Sequence, residues 1–382
     1  MVTSPSPYST ALQGGGDFHE CGRATQVSRL VRLSSLTVPL TNGAVGGDLK
    51  DVTETDWATL PAVPTDPTLR ARISAAVTRL TLGTLTSVIP LNTPGVWFSR
   101  GLIATIMGTL GSQPDGTQII PVRTPEVRGE WVLGPGVKFG KQAGYYVHGS
   151  AYVICSAGTH RKLVAQLSAA TGMPFFSVEY RLAPEHLFPA AADDVEAGYR
   201  WLLAQGYAAS DVVIGADSAG GHLTCDMLLV HADEANFQPA GVVLFSPLID
   251  LSLEMALEQE KASYRDPAMS ATRAGNLVGL YTKGQDPAHP RLKLDFAQAS
   301  KLPPILTQVG GFEMLRADAR YLDDQIRGNG GGSMLEIWPG MVHVFQALPR
   351  LAPEAEPALR RAAAFIATAL TAARSDRLEE VG

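Results

Sequence analysis

From about residue 130 onward, short apolar runs alternate with stretches whose apolar residues recur at helical spacing. The runs are Glu130–Leu133, Gly144–Val147, Phe175–Glu179, Val212–Gly215, Gly241–Phe245, Ile305–Val309 and Met334–Ile337. Several are apolar almost without a break, the pattern of strands buried on both faces. Amphipathic stretches lie between or after them at Ala190–Ala204, Ala219–Ala232, Ala317–Arg327 and Pro353–Ala373. The alternation predicts an α/β fold with a mostly parallel central sheet flanked by helices. Two regions break the pattern. Residues 25–120 precede the sheet and read as helical or irregular, and residues 250–300 separate two strands by more than a crossover needs. Both are expected to form a cap over the carboxyl edge of the sheet. The organisation read from the chain is therefore a mobile tail over 1–24, an N-terminal helical cap region over 25–120, and a sheet domain over 121–382 with a cap-contributing insertion around 250–300.

Composition narrows the picture. The 382 residues are 45% hydrophobic and 18% charged, enough to bury a large core, and the net charge is -6. That balance lacks the basic footprint of a nucleic-acid binder. Cys21, Cys155 and Cys225 are widely spaced and form no metal-ligand pattern, so no metal is expected. Three is also a poor count for a disulfide framework, and a reducing compartment is the simpler reading. No Lys or Arg precedes Arg23, and residues 1–20 are rich in Ser, Gly, Thr and Pro. This does not resemble a secretory signal, so the cytoplasm is the default location. The apolar stretch Leu80–Pro114 is interrupted by Pro90, Asn92, Pro94 and Gly95, leaving neither half long enough to span a bilayer.

Chemistry concentrates in three segments. In Val212-Val213-Ile214-Gly215-Ala216-Asp217-Ser218-Ala219-Gly220-Gly221, an apolar strand runs into small residues around one Ser and then into a helix. Such a turn strains the backbone, projects Oγ above the sheet and sets it at a helix N-terminus, where negative charge is favoured. Ser218 is the candidate nucleophile. Ala216 stands where the usual GxSxG pattern has Gly. An ordinary Gly-rich strand-to-helix turn would look similar.

Upstream, Val147-His148-Gly149-Ser150-Ala151 ends a strand. Backbone N–H groups aimed at a developing oxyanion are worth roughly 3 kcal/mol each. Gly149, Ser150 and Ala219 are the candidate donors, and His148 reads as structural. Downstream, His343 follows the last strand in Trp338-Pro339-Gly340-Met341-Val342-His343. Imidazole is a suitable base near neutrality. A base needs a carboxylate to hold its tautomer. Glu313 sits in the loop after the next-to-last strand and is the candidate acid, with Asp318 as the alternative. Either could instead be a carboxylate favoured at a helix N-terminus. The order Ser, acid, His fits one known arrangement of this triad.

Together these segments resemble the bacterial hormone-sensitive-lipase-like esterases of the α/β-hydrolase superfamily, from about Gly129 to the C-terminus. The resemblance rests on Gly129-Glu130-Trp131-Val132, His148-Gly149-Ser150-Ala151, Tyr180-Arg181-Leu182-Ala183-Pro184-Glu185-His186, Phe188-Pro189-Ala190-Ala191, the Ser218 segment, Ser246-Pro247-Leu248-Ile249-Asp250-Leu251, and the segments of Glu313 and His343. The Tyr-Arg-Leu-Ala-Pro-Glu run is the most specific, and the His-Gly-Ser loop looks most like actinobacterial members. The family implies the α/β-hydrolase fold with a helical cap. It also implies a Ser218–Glu313–His343 triad and hydrolysis of acyl esters through an acyl-enzyme without metal or organic cofactor. Three features depart from its pattern: Ala216 in the turn, Ser150 and Ala151 in place of two loop glycines, and a longer N-terminal region. The resemblance assigns Arg181, Glu185 and Asp194 to links that hold loops rather than to catalysis.

The expected function is a serine carboxylic-ester hydrolase acting on small acyl esters of short to medium chain. An amidase, deacetylase or lactonase would use the same residues. A non-catalytic ligand receptor of this fold is the alternative from another class, and His343 argues against it. Val96–Met107 carries Phe98, Leu102 and Ile106 at four-residue spacing, with Ile103 and Met107 alongside. This stripe is expected to pack on the sheet domain. The sharper expectation is that part of it, with Trp97, forms an acyl pocket or touches lipid at a membrane surface. Oligomeric state is not legible.

Overall fold

A computed structural model describes residues 60–78, 92–149, 151–262 and 266–381. These belong to one compact unit of the chain, residues 42–382. The tail expected over 1–24, residues 25–59 and 79–91 of the expected cap, Cys21 and Ser150 lie outside the described residues.

Eight strands form one sheet: β1 (Gln118–Arg123), β2 (Arg128–Leu133), β3 (Ala143–Val147), β4 (Phe175–Val178), β5 (Val212–Asp217), β6 (Gly241–Phe245), β7 (Ile305–Gly310) and β8 (Ser333–Trp338). Their order is β1-β2-β4-β3-β5-β6-β7-β8. The pairs β1–β2 and β2–β4 are antiparallel, and from β4 to β8 the sheet is parallel. Every residue of β3 to β7 is buried, which is why these strands read as unbroken apolar runs.

Neighbouring residues of a strand point to opposite faces, and the core divides accordingly. Tyr145, Val147, Ile214, Ala216, Val242 and Leu244 feed one cluster, completed by α4 (Ala190–Ala204), α5 (Ala219–Val230) and α8 (Arg316–Gly328). Tyr146, Val213, Val243 and Phe245 feed the other, completed by α3 (Ala157–Thr171) and α9 (Ala355–Val381). Two more helices precede the sheet, α1 (Leu69–Thr78) and α2 (Thr93–Leu110). The insertion between β6 and β7 carries α6 (Glu254–Ala262) and α7 (Ala271–Tyr281). Tyr281 of α7 stacks on Tyr152 at 4.3 Å, fixing the insertion to the segment after β3.

Two elements escape the sequence pattern. β1 begins at Gln118, where a helical or irregular region was expected. It is an edge strand, largely solvent-facing and interrupted by Pro121, so it carries neither an apolar run nor a clean alternation. α3 has weak amphipathicity, yet its ends are well marked. Ser156 and Thr159 form a reciprocal capping box, and Gly172 closes the helix at φ 70°.

Candidate active site

Ser218 stands at the junction of β5 and α5 with φ 51° and ψ -123°, a conformation that a side-chain-bearing residue adopts only under constraint. The constraint is visible in the neighbours. A Cβ on Gly220 would meet the Val147 carbonyl oxygen at 2.1 Å, and one on Gly221 would meet Pro247 at 2.7 Å. Ala216 lies earlier, within fully buried β5, where a methyl group is accommodated. The departure at Ala216 therefore leaves the turn intact, and it is the second glycine of the pattern that has no room for a side chain.

His343 follows β8, and its Nε2 lies 3.1 Å from Ser218 Oγ. Its Nδ1 faces Glu313 Oε1 at 3.5 Å, an ion-pair contact longer than a formed hydrogen bond. Glu313 is fully buried just after β7. Its other oxygen, Oε2, accepts from Ser246 Oγ at 2.8 Å and from the Gly310 amide at 3.1 Å. Ser246 Oγ in turn accepts the Val344 amide at 3.1 Å, so one hydroxyl positions both the carboxylate and the histidine loop. Burial alone would lower the His343 pKa. The contact with Glu313 and its charge, with smaller contributions from Asp266 and Asp217, raise it above its ordinary value.

Asp318 is elsewhere. Its Oδ1 accepts the amides of Ile249 and Asp250, both at 2.8 Å, and burial pushes its carboxyl up to about 7. It closes the loop after β6 and does not face the imidazole, so the structure brings Glu313, and not the alternative, to His343.

The three expected oxyanion donors fare differently. Ala219 is the first residue of α5, where N–H groups have no partner inside the helix. Ser150 is outside the described residues. Gly149 packs against the nucleophile turn, where an added Cβ would meet Asp217 Oδ2 at 2.1 Å and Ser218 Cβ at 2.8 Å. His148 is structural, as expected. It is buried, stacks on Tyr180 at 4.1 Å, and is pushed down to about 3 chiefly by burial.

Asp217 is the residue that sequence reasoning underrated. It is 1% exposed. Oδ1 accepts from Tyr146 Oη at 2.8 Å, and Oδ2 lies 3.2 Å from His160 Nε2. Burial would raise its carboxyl; His160 and the hydrogen bonds from His160, Tyr146 and Gly149 outweigh that and hold it below the usual range. Asp217 thus locks the loop at Gly149 to the nucleophile turn. His160 sits on α3, the helix missing from the sequence reading, so nothing local pointed to the pair. The expected links do form: Arg181 is bidentate to Asp194 at 2.8 Å, and Glu185 pairs with Arg100 of α2.

Ser218 and His343 open into a cavity of about 180 Å³. Ile103, Ile106 and Met107 of α2 line one side, and Leu253, Met269 and Val278 of the insertion line another. Strained backbone gathers here, for Ala151, Cys155, Ser218, Leu253 and Val344 all have positive φ and all line the cavity. Part of the expected α2 stripe, Ile103, Ile106 and Met107, lines the cavity; Val96 is buried, whereas Trp97 and Phe98 are 61% and 59% exposed and take no part in it. A wider depression of about 690 Å³ beside Arg100, Arg128 and Arg181 is charged and contains neither Ser218 nor His343.

Among the described residues no group of acidic, His and Cys side chains could hold a metal ion, and no helix is long and apolar enough to cross a membrane. Cys155 and Cys225 are free thiols.

A family model described as alpha/beta hydrolase fold matches residues 145–347. The carboxylesterase/phospholipase LipF of Mycobacterium tuberculosis is 30% identical over 332 residues, 81% of this chain and 85% of that protein. An acetyl-hydrolase of Streptomyces hygroscopicus is 34% identical over 262 residues, 69% of this chain and 85% of its own. Among solved structures, an esterase from the bacterial hormone-sensitive lipase family superimposes with a TM-score of 0.70 at 32% identity, covering 79% of this chain and 99% of that one.

Proposed function

The chain belongs to the hormone-sensitive-lipase-like esterases of the α/β-hydrolase superfamily and is an ester hydrolase; from that premise we propose that it cleaves small carboxylic esters of short to medium acyl chain through a Ser218–His343–Glu313 triad and an acyl-enzyme. One observation carries the reading: Oγ of a strained serine lies 3.1 Å from an imidazole whose far nitrogen faces a buried carboxylate.

His343 Nε2 takes the Ser218 proton as Oγ attacks the ester carbonyl. The tetrahedral oxyanion lies against the Ala219 amide and the loop after β3. The loop's share of that role falls to the amides of Gly149 and Ser150. His343 then protonates the departing alcohol, and a water deprotonated by the same imidazole releases the acid. Glu313 keeps the imidazole in the right tautomer and stabilises its cation, and Ser246 and Gly310 keep Glu313 in place.

The cavity supports the acyl-ester assignment. Its volume is about 180 Å³ and its walls are apolar, with Ile103, Ile106, Leu253, Met269 and Val278 placed to meet an acyl chain on Ser218. The test is a series of p-nitrophenyl esters from acetate to palmitate, assayed with wild type and Ser218→Ala, together with labelling by a fluorophosphonate. Expected are turnover that peaks between acetate and octanoate, covalent labelling at Ser218, and neither in S218A. Folded wild-type protein that hydrolyses amides or lactones but no ester, or that is labelled away from Ser218, would overturn it.

A further inference from the structure

One carboxylate near the triad has no part in the chemistry so far. Asp266 lies in the insertion between α6 and α7, far in sequence from Glu313 and His343, and no local motif singles it out. It accepts three backbone hydrogen bonds. Oδ1 takes the amides of Ala268 at 2.7 Å and Met269 at 3.4 Å, and Oδ2 takes the amide of Met314 at 2.9 Å. Ala268, Met269 and Met314 all line the cavity that opens over Ser218. Met314 is also the residue next to Glu313. A second bond crosses the same gap, from Gln259 Nε2 of α6 to the Glu313 carbonyl oxygen at 2.7 Å.

We propose that Asp266 is a positioning residue of the active centre, tying the wall of the acyl cavity to the loop that bears Glu313 and adding a further negative charge to the field at His343. The inference rests on His343 being the catalytic base.

Two roles are combined in one side chain. As a tether, Asp266 joins Ala268 and Met269, which contact the acyl chain, to the acid loop, so the wall and the triad keep one register. As a charge, it favours the imidazolium that forms when Ser218 attacks. The ionisable groups facing this centre come from four elements. Asp217 ends β5, Glu313 follows β7, Asp266 lies in the insertion, and Arg316 begins α8 and faces Glu313. Burial pushes the Asp266 carboxyl up to about 6, and the nearby His343 and the amides of Ala268 and Met314 act against the rise and favour its charged form. The three carboxylates share one imidazole, and Asp266 is the one that comes from the insertion.

The sign of the effect is fixed. The base must be neutral to act, so activity falls on the acid side as His343 is protonated. An opposite charge nearby favours protonation. Removing the Asp266 charge lowers the His343 pKa, and the acid limb of the kcat/KM profile moves to lower pH.

The experiment uses the full chain with Asp266→Asn and, as a second neutral variant, Asp266→Ser. The kcat and KM for p-nitrophenyl butyrate are measured from pH 4.5 to 9, alongside the rate of fluorophosphonate labelling of Ser218. Circular dichroism and thermal melts establish that each variant is folded. Expected are an acid limb displaced downward by about half to one pH unit in both profiles, and a drop in kcat at pH 8 of about tenfold. A folded variant whose acid limb stays where it was overturns the proposal, even if KM rises, because a purely structural tether leaves the limb unmoved. Failure of the underlying reading is separate: His343→Ala would then keep its activity and its labelling.

Discussion

Replacing Gly149 by Ala tests whether the loop after β3 and the nucleophile turn form one rigid unit. A Cβ at this position would lie 2.1 Å from Asp217 Oδ2, 2.8 Å from Ser218 Cβ and 3.0 Å from Asp217 Cγ. Ordinary contact begins near 3.4 Å, so the closest pair must separate by more than an ångström. Asp217 cannot easily yield, because Tyr146 and His160 grip its two oxygens from β3 and α3. The loop must therefore move. A displacement of about 1 Å at reacting groups costs on the order of 100-fold in rate, and loss of one oxyanion donor costs about 100- to 1,000-fold. G149A is accordingly expected to lose at least about 100-fold in kcat on p-nitrophenyl butyrate. KM should change too, since Gly149, Ala151, Ile154 and Cys155 of this loop line the cavity together with α2 and the insertion. Thermal melting and circular dichroism check that the variant is folded. A folded G149A with kcat within threefold of wild type would refute the reasoning, because the contact would then be relieved without cost to the reacting geometry.

Other expectations follow from the same geometry. Glu313→Gln keeps the shape but removes the charge that does most to raise the His343 pKa; kcat should fall by about 100-fold or more, with the acid limb of the profile displaced downward, and an unchanged limb would count against Glu313 as the acid. Ile106→Trp fills the α2 side of the cavity. At about 0.8 kcal/mol per methylene, excluding two methylenes lowers kcat/KM for octanoate about tenfold or more relative to acetate, and an unchanged ratio places the acyl chain elsewhere. Acid stability is set partly by two buried histidines, His148 pushed down to about 3 and His222 to about 4, in both cases chiefly by burial. The unfolded chain binds more protons than the folded one below about pH 6.5. Stability should therefore fall as pH drops from about 6.5 toward 4, and urea titrations across that range should show a shallower fall in His222→Gln; an equally steep fall would assign the effect to other groups.

Much of this protein was legible because its chemistry is local. The Ser218 turn is written in consecutive residues: an apolar strand, a small residue before the serine and glycines after it. The buried strands from β3 to β7 were legible for a similar reason, since burial on both faces leaves an unbroken apolar run. What eluded the sequence is non-local or exposed. β1 shows no strand signal because an edge strand faces solvent and tolerates Pro121. The face of α2 that meets the cavity could not be fixed by periodicity, because Phe98 and Ile106 have the same spacing along the helix whichever side is buried. Glu313 was preferred to Asp318 because it lies in the loop before the helix, but chain order could not place either carboxylate against His343. The packing of the loop after β7 turned one toward His343 and the other toward the amides of Ile249 and Asp250. The links from Asp217 to His160, from Ser246 to Glu313 and from Asp266 to Met314 join residues 48 to 67 positions apart, and only the folded sheet brings them together. The sequence alone determined the class of fold and singled out Ser218 and His343 as the candidate nucleophile and base, because each depends on a few neighbouring residues. The tertiary structure decided which carboxylate faces His343, the cavity wall and the groups that hold them, because those depend on distances between segments that the chain order leaves open.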